Sequence, residues 1–508
     1  MGRMKLNHFF LVAVLMVAVN PAQTATHAAG DDPIDIGSRR ELFVDEFLVE
    51  RLEGEARQIL QHPTPREIVL VCDQPWEGNG VNYVTAFQEA DRYVMYYRGA
   101  DYNYGLSPTH DQTYCYAESQ DGVNWTRPEL GLIEFQGSKK NNIVISEKDF
   151  GYVAHNFSPF IDGRPQTPPE ERFKAIGGGP LRLMVSPDGV RWREMVSEPV
   201  ITEGAFDSQN VVFWDAYRGT FRGFHRVFRD GRDIQTETSS DLLEWTNPVF
   251  LNYEPSRGGE LYTNQITNYY RAPHLFVGFP TRYEDRGTTP STRHLPQFDY
   301  RQERSAQSLR EGTAVTEGLF MASRNGQDFR VWQEAFVRPG LRTKDSWFYG
   351  DMYQNWGLVE TKSSLADDAP NELSMYLTEG TLQNGKPGRL RRYSLRLDGF
   401  VAVNAPMIGG RLVTKPLQFQ GQRLSINYSS SARGGVRVEI QDRDGKAIPG
   451  FSLEDCPWIY GDSLDRVVEW TDGDGLSTDV SDLKDQAVRL VFELKDADLF
   501  SFVFQAEH

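Results

Sequence analysis

Cysteine is scarce in this chain of 508 residues, which holds only Cys72, Cys115 and Cys456. Three thiols cannot form a disulfide framework, so a small cross-linked fold is excluded and the chain is long enough to bury a large core instead. At most one internal bridge is available, between Cys72 and Cys115, and buried free thiols are the alternative. No CxxC pair is present, which removes the common thiol-redox motif.

Positive charge is also in short supply. The chain has 54 Lys and Arg against 71 Asp and Glu, a net charge of −17. Nucleic acids and anionic lipids are bound by basic surfaces, so this balance argues against both as partners. The sequence also lacks GxSxG, HExxH, a phosphate-binding loop and a dinucleotide fingerprint. We therefore expect neither a cofactor nor a catalytic metal.

Long apolar runs are missing except near the start of the chain, over residues 9–19. This run follows Arg3 and Lys5 and precedes small residues around Ala28, which is the order of a secretory signal peptide. It is short for a transmembrane helix, which needs about 20 residues. The pattern predicts a signal peptide over residues 1–28 and an exported protein, periplasmic or extracellular, with no membrane attachment after cleavage. A membrane anchor is the alternative.

A short phrase recurs along the chain. Each copy has a Ser, an Asp or Asn two positions later, usually a Gly, and then an aromatic residue. Asp-Gly permits the positive φ of a tight turn, and the Ser and Asp side chains can accept nearby backbone hydrogen bonds. The copies span residues 119–125, 186–192 and 239–245, with a degenerate fourth at 323–329. Because alternating, strand-like residues precede each copy, the four copies predict a repeated hairpin unit whose aromatic residue fills the gap between sheets.

Strand pairs between the turns predict five units, and repeated four-stranded units build propellers. The units begin near Asn79, His155, Asp207, Leu261 and Asp351. We therefore predict an all-β fold, with a five-bladed β-propeller over residues 34–405 that the N-terminal segment closes by donating a strand. From residue 406 the aromatic turns stop while alternating strands continue, which predicts a β-sandwich over residues 406–508.

Five phrases carry a resemblance to a known group of proteins. They are ELFVD at 41–45, FDSQN at 206–210, YTNQ at 262–265, RAPH at 271–274 and RYSLRLDGF at 392–400. From residue 34 to its end the chain resembles the five-bladed propeller glycosidases, a superfamily with invertase-like and arabinofuranosidase-like enzymes. It looks most like the glycosyl hydrolase family 32-like secreted proteins of planctomycete-type bacteria. The resemblance implies an active site at the propeller axis, lined by the first strand of each blade and usually holding two Asp and one Glu.

Glycoside hydrolysis needs one carboxylic acid to protonate the leaving oxygen and a carboxylate to activate water or to attack directly. Asp207, which precedes an apolar strand, is the foremost candidate, with a turn or cap role as the alternative. Glu260 is a candidate general acid or a solvated loop residue. Glu77 takes the place of the first-blade carboxylate, because the Asp expected from the family is missing there. Asp351 is the fifth-blade alternative.

Eight further residues are candidates to bind substrate. Arg side chains suit planar anions such as a carboxylate or a sulfate, aromatic faces cover the apolar face of a sugar, and a His titrates near neutrality. Salt bridges between blades and ordinary packing are the alternatives. The eight are His155, Asn210, Arg226, Tyr262, Arg271, Arg282, Trp76 and Trp347.

The first functional hypothesis is a secreted glycoside hydrolase that cleaves a polysaccharide or oligosaccharide, furanosidic, acidic or sulfated, by carboxylate chemistry at the propeller axis. The second is a non-catalytic carbohydrate-binding propeller, which the missing first-blade Asp supports. The third is a polysaccharide lyase that uses His155 and Tyr262. The Asp-rich turn over residues 472–479 has oxygen ligands suited to Ca²⁺, with an ordinary polar turn as the alternative.

Overall fold

A computed structural model describes residues 32–103, 106–383, 385–473 and 475–506, and the predicted signal peptide lies outside them. Strands dominate, and the longest helix is Phe298–Gln307. In the described part of the chain, no helix is both long and apolar enough to cross a membrane. The protein is nearly all β with a propeller-like arrangement of sheets, which agrees with the predicted fold class.

Three consecutive sheets are antiparallel meanders of four strands, each in chain order. Hairpin connections of this kind are the local units of a propeller. Sheet I comprises Thr85–Glu89, Arg92–Gly99, Thr113–Ser119 and Ile143–Ser146; sheet II comprises Ser158–Ile161, Phe173–Gly178, Leu181–Ser186 and Arg193–Glu194; sheet III comprises Val211–Asp215, Thr220–Phe228, Arg232–Ser239 and Val249–Phe250. The short helices Glu147–Phe150 and Val153–Asn156 lead from sheet I into sheet II.

Sheet IV is larger and carries a helical insertion. Its strands are Asn252–Glu254, Glu260–Leu261, Thr267–Tyr269, Ala272–Gly278, Thr281–Asp285, Ala314–Ser323 and Asp328–Val337. The insertion between the fifth and sixth of these holds the helices Pro290–Arg293, Phe298–Gln307 and Leu309–Thr313.

Sheet V takes its last strand from the N-terminal part of the chain. It comprises Val359–Thr361, Glu372–Glu379, Arg389–Arg396 and Thr64–Val71. Thr64–Val71 pairs antiparallel with Arg389–Arg396, with Leu70 opposite Leu390. The prediction that the N-terminal segment donates a strand to the last unit is confirmed.

The repeated phrase forms the same turn in all four copies. In the first copy, the backbone N–H of Gly122 donates to Ser119 Oγ (2.9 Å) and that of Val123 donates to Asp121 Oδ1 (2.8 Å). Gly122 has a φ of 72°, as the Asp-Gly pattern predicts, and Leu242 takes a φ of 73° at the equivalent position without a glycine. The predicted turn is therefore confirmed, and the side-chain hydrogen bonds hold it even where a bulkier residue must adopt the left-handed backbone.

Two of these turns place their aromatic residue in the gap between neighbouring sheets, as predicted. Trp125 from the turn of sheet I packs edge-on against Tyr376 of sheet V, with ring centroids 5.4 Å apart. Trp192 from sheet II meets Tyr96 of sheet I in the same way, at 6.3 Å. Each tyrosine hydroxyl donates to a carbonyl inside the neighbouring turn, at 2.6 Å for Tyr376 and 2.8 Å for Tyr96. One repeated contact thus joins sheet V to sheet I and sheet I to sheet II.

The remaining neighbours are joined by other aromatic contacts. Phe160 of sheet II lies 6.3 Å from Phe221 of sheet III, and Phe224 of sheet III lies 6.1 Å from Phe276 of sheet IV. The indole N–H of Trp356, before sheet V, donates to the Ile266 carbonyl beside sheet IV (2.9 Å). Each sheet therefore contacts the next one in chain order, and the last contacts the first.

A separate ten-stranded sheet combines both ends of the described chain. Its strands are Ile34–Gly37, Glu41–Leu42, Val49–Gly54, Arg57–Leu60, Val401–Ala405, Gly410–Thr414, Leu417–Phe419, Arg423–Asp442, Asp462–Val467 and Val488–Gln505. A small hairpin, Trp470–Asp472 with Gly475–Ser477, and the 3₁₀ turns Pro169–Glu171 and Ser481–Leu483 complete the structure. The four N-terminal strands pair with C-terminal strands and with no strand of sheets I to V. The three cysteines are free and buried.

Candidate functional site

A cavity of about 220 Å³ lies where the innermost segments of sheets I to V converge. Each sheet contributes one side chain from just before, or close to, the start of its innermost strand. In order, these are Tyr83, His155, Asp207, Tyr262 and Tyr353. The convergence follows from the repeated architecture, because equivalent positions of successive units meet at the centre.

Buried amides tie the same segments together. The amide NH₂ of Gln209 donates to Thr85 Oγ1 (2.9 Å), and that of Gln265 donates to Gln209 Oε1 (2.8 Å) and to the Gln354 carbonyl (2.7 Å). These four residues belong to sheets III, I, IV and V, and all are buried. Single side chains here bridge four different units, and the units come that close together only near the centre of the arrangement.

Asp207 is the most exposed carboxylate of the cavity, with 56% of its side chain accessible. Its Oδ1 accepts from His155 Nε2 (2.9 Å) and from the Tyr152 hydroxyl (3.4 Å), and its Oδ2 lies 3.7 Å from Arg226 Nη2. Partial burial opposes ionisation, but the His155 hydrogen bond and the charges of Arg226 and Arg98 outweigh it and lower the pKa of Asp207 to about 2. Asp207 is therefore ionised at neutral pH and can accept a proton or attack, but cannot donate one.

His155 stacks on Tyr152, with ring centroids 4.6 Å apart. Burial lowers its pKa, the positive charge of Arg98 adds to this, and the hydrogen bond to Asp207 only partly opposes it. Arg98 Nη1 lies 3.3 Å from His155 Nδ1. Because an ionised carboxylate only accepts, the hydrogen bond to Asp207 places a ring proton on Nε2. The side-chain oxygen of Gln112 lies 3.0 Å from Nδ1.

Arg98 is a buried cation of the cavity that the sequence reasoning missed. Only 5% of the residue is exposed. Its Nε donates to the Gly80 carbonyl (2.9 Å) and its Nη2 to Asn82 Oδ1 (3.2 Å), while the guanidinium lies 4.9 Å from the centre of the Tyr83 ring. No carboxylate of the described residues lies within 4.0 Å of it.

Tyrosines form an aromatic wall. The Tyr262 ring centroid lies 5.5 Å from that of Tyr353 and 5.9 Å from that of Tyr349, and Tyr83 lies 6.3 Å from Tyr353. Burial raises the pKa of Tyr83, Tyr349 and Tyr353, so their hydroxyls stay protonated at neutral pH. Tyr83 also adopts a φ of 59°, which is uncommon for a bulky side chain and concentrates at functional positions.

The helical insertion of sheet IV covers one side of the cavity. Glu311 is the second carboxylate there, and it is buried against arginines: Arg304 Nη2 donates to its Oε2 (2.5 Å) and Arg310 Nη2 lies 3.4 Å from its Oε1. Arg310 Nη1 also donates to the Tyr349 hydroxyl (3.1 Å). The insertion thus adds two cations and one anion that no repeat pattern indicated.

Of the four predicted catalytic carboxylates, Asp207 alone lines the cavity. Glu77 is buried outside it, where it accepts from the Tyr97 hydroxyl (2.5 Å) and pairs with Arg127 (2.9 Å). Burial raises the pKa of Glu77 despite that ion pair. In this position Glu77 holds sheet I to the segment around Arg127.

The other two carboxylates also have partners elsewhere. Glu260 Oε2 pairs with Arg232 Nη1 (2.7 Å). Asp351 is 1% exposed and accepts from the backbone N–H groups of Thr381 (3.0 Å) and Phe348 (3.1 Å). Burial outweighs these hydrogen bonds and raises the pKa of Asp351 to about 7. The structure does not bring the predicted catalytic set together, and the catalytic role of each member stays a prediction.

Three of the predicted substrate-binding residues lie at the cavity: His155 and Tyr262 line it, and the Arg226 guanidinium lies 4.9 Å from the centre of the Tyr262 ring. Asn210 lies nearby, but its amide is bound to the Ser208 carbonyl (2.9 Å). The other four lie away from the cavity and bind protein groups. Arg271 binds Asp398, Arg282 binds Glu317, Trp76 binds Asn142 and Trp347 binds the Gly340 carbonyl.

Among the residues that the structure describes, no three His, Cys, Asp or Glu side chains are grouped closely enough to hold a metal ion. Asp474, in the centre of the turn predicted as a possible calcium site, lies outside the described residues. Calcium binding there stays a prediction.

No protein-family model matches the chain, and no curated protein matches its sequence. Solved structures match over much of its length. The chain is similar to a glycoside hydrolase family 43 arabinoxylan arabinofuranohydrolase from Bacillus subtilis, with 12% identity, 85% of this chain and 97% of that chain covered, and a TM-score of 0.41. It is also similar to the catalytic domain of a family 62 α-L-arabinofuranosidase from Coprinopsis cinerea (9%, 66% and 97%, 0.39) and to a glycosyl hydrolase from Bacteroides ovatus (14%, 71% and 93%, 0.36). At these identities and TM-scores, the likenesses decide neither substrate nor mechanism.

Proposed function

We propose that the protein is an exported glycoside hydrolase built on a five-bladed propeller, with sheets I to V as its blades. The sequential contacts between sheets, and the contact from the last back to the first, support this count. The ten-stranded sheet is the sandwich, and the chain passes into it near residue 405. Because the strands from residue 34 to residue 60 pair within that sheet, we propose that they complete the sandwich and that the propeller begins at Thr64.

The observation that carries the proposed activity is the hydrogen-bonded His155–Asp207 pair that lines the cavity. An ionised carboxylate at that point can activate a water or attack the anomeric carbon, which is one of the two roles that glycoside hydrolysis requires. The other role needs a protonated group beside the leaving oxygen. In the free protein, the groups that stay protonated at the cavity include the hydroxyls of Tyr83, Tyr349 and Tyr353, and tyrosine is able to serve as a general acid.

The same constellation favours a second candidate, a polysaccharide lyase. A neutral His155, protonated tyrosine hydroxyls and the buried Arg98 are the groups that β-elimination from a uronic acid uses. The imidazole removes the proton next to the carboxylate, the guanidinium stabilises the negative charge that develops there, and a tyrosine hydroxyl protonates the leaving oxygen.

One experiment separates these activities. Purified protein is incubated with a panel of neutral, uronic and sulfated polysaccharides, and new reducing ends and ultraviolet absorbance are followed together. We expect reducing ends without a rise in absorbance, and a loss of at least about 100-fold in kcat/KM for Asp207→Asn, in line with the loss of a general base.

The matched control is Glu260→Gln, a second partly exposed, arginine-paired carboxylate that lies outside the cavity; we expect near wild-type activity from it. Reducing ends that appear with ultraviolet absorbance would support the lyase. Retained activity in Asp207→Asn would refute the assigned role. Saturable glycan binding without any product would leave a carbohydrate-binding propeller.

A further inference from the structure

Charges around the cavity do not balance. Four guanidinium groups face two carboxylates there, although the whole chain carries a net charge of −17. The cations are Arg98, Arg226, Arg304 and Arg310, and the anions are Asp207 and Glu311. Glu311 is shared by the two arginines of the helical insertion, which leaves Asp207 as the single carboxylate for the other two.

Arg98 is the cation whose environment is least balanced by protein carboxylates. A buried charge is costly unless it is paired, so buried arginines normally lie against a carboxylate. Arg98 is 5% exposed and has no carboxylate within 4.0 Å in the described chain. Two of its nitrogens bind neutral oxygens, and the third, Nη1, faces His155 at the cavity wall. The charge of Asp207 acts on Arg98 from beyond 4.0 Å, so an anion that pairs with Arg98 directly would come from outside the protein.

Arg226 occupies a similar position on the other side of the His155–Asp207 pair. It is 4% exposed, its Nε donates to the Ala205 carbonyl (2.9 Å), and its nearest carboxylate is Asp207 at 3.7 Å. Arg98 and Arg226 therefore flank the candidate catalytic pair. A guanidinium is a permanent cation that only donates, so its remaining N–H groups suit a carboxylate or a sulfate better than a neutral hydroxyl.

We propose that the cavity takes an anionic sugar residue, one that bears a carboxylate or a sulfate ester, and that Arg98 and Arg226 bind its charged group. This inference rests on the proposed function, since it takes the occupant of the cavity to be a sugar. It adds that the protein selects acidic glycans over neutral ones of the same size. Carboxylate and sulfate share the chemistry that the arginines recognise.

Affinity electrophoresis tests the proposal. The full protein is run in gels that contain uronic polysaccharides (pectate, alginate), sulfated ones without uronic acid (carrageenan, dextran sulfate) or neutral ones (arabinan, arabinoxylan, glucan). Because the protein is itself strongly acidic, non-specific attraction to a polyanion does not explain retardation. We expect at least one anionic class to retard the wild type at least about tenfold more strongly than any neutral glycan, with retardation weakened by salt. Whether the uronic or the sulfated arm responds distinguishes the two sources of charge.

Arg98→Gln should abolish the retardation, Arg98→Lys should restore part of it, and Arg191→Gln should leave it unchanged, because Arg191 lies on an outer turn with 71% of its side chain exposed. If Arg98→Gln does not fold, Arg226→Gln serves in its place.

Equal or stronger retardation by a neutral glycan, no retardation by any glycan, or an unchanged preference in folded variants of Arg98 and Arg226 would each overturn the proposal. Selective binding of anionic glycans without cleavage would support the anionic-sugar site and refute the hydrolase. Cleavage of neutral glycans alone would support the hydrolase and refute the anionic-sugar site.

Discussion

Asp351 places a carboxyl group in the protein interior, and its ionisation should make folding stability fall as the pH rises. The side chain is 1% exposed, and its three hydrogen-bond donors come from Phe348 and Thr381 rather than from a cation. Burial raises its pKa from an ordinary 3.8 to about 7. Between these values the folded protein keeps a proton that the unfolded chain has lost, so raising the pH pulls the equilibrium towards the unfolded state.

The size of the effect follows from the shift. A difference of about 3 pKa units at 1.36 kcal/mol per unit corresponds to about 4 kcal/mol of stability, present below pH 4 and lost as the pH rises through 7. Asp351→Asn is neutral throughout this range. Its amide nitrogen cannot accept from the Phe348 N–H, which costs about 1 kcal/mol at every pH. The variant should therefore be slightly less stable than the wild type at pH 4 and about 3 kcal/mol more stable at pH 8.

Urea unfolding, followed by the fluorescence of the 10 tryptophans, measures this directly. Wild type and Asp351→Asn are compared in the same buffers at pH 4, 5.5, 7 and 8, so that groups which titrate alike in both proteins cancel in the difference. A difference in unfolding free energy that stays constant over this range would show that Asp351 does not titrate between the two states. The reasoning about its burial would then be refuted.

Two further predictions concern residues on either side of the cavity boundary. Glu77→Gln should destabilise the protein by about 3 kcal/mol, because Arg127 loses a buried charged partner, while kcat of the folded fraction stays unchanged. Thermal unfolding and activity assays check this, and lost activity at full stability would contradict it. His155→Leu removes the hydrogen bond that lowers the pKa of Asp207, so the acidic limb of the kcat/KM profile should move to higher pH. An unmoved limb would mean that another group sets it.

The fold was predictable where its determinants are local. The repeated turn is held by hydrogen bonds within seven residues, such as those around Asp121, so the phrase alone indicates it. Alternation likewise identifies a strand and its two faces, but it does not identify the strand's partner. Residues 34–60 read as a lead-in to the propeller, yet Arg57–Leu60 pairs with Val401–Ala405. Nothing within either segment specifies a partner more than 300 residues away.

The residues of the candidate site were likewise predictable only where the repeated unit fixes their position. His155, Asp207 and Tyr262 lie before innermost strands, where the repeat places the centre, and all three reach the cavity. Arg98 lies at the far end of a second strand. The sequence feature that could have identified it is a charged residue at the end of an apolar and aromatic strand. Such a residue is buried with the strand and therefore needs a hydrogen-bonding or charged partner. Glu311 belongs to the insertion and has no equivalent in the other units.

The two proposals bear on each other through the ionisation of Asp207. Its pKa is low in the free protein because His155, Arg226 and Arg98 favour the charged form over the effect of burial. An anionic sugar bound to the same arginines would compensate their charge and add a negative charge of its own, and both effects raise the pKa of a neighbouring carboxyl. Bound substrate would also displace water and increase the burial of Asp207. A pKa raised from about 2 makes Asp207 a stronger base in the complex than in the free protein, which suits the role of general base that the proposed function gives it. On this argument, Arg98 and Arg226 recognise the substrate and also set the protonation of the carboxylate that acts on it.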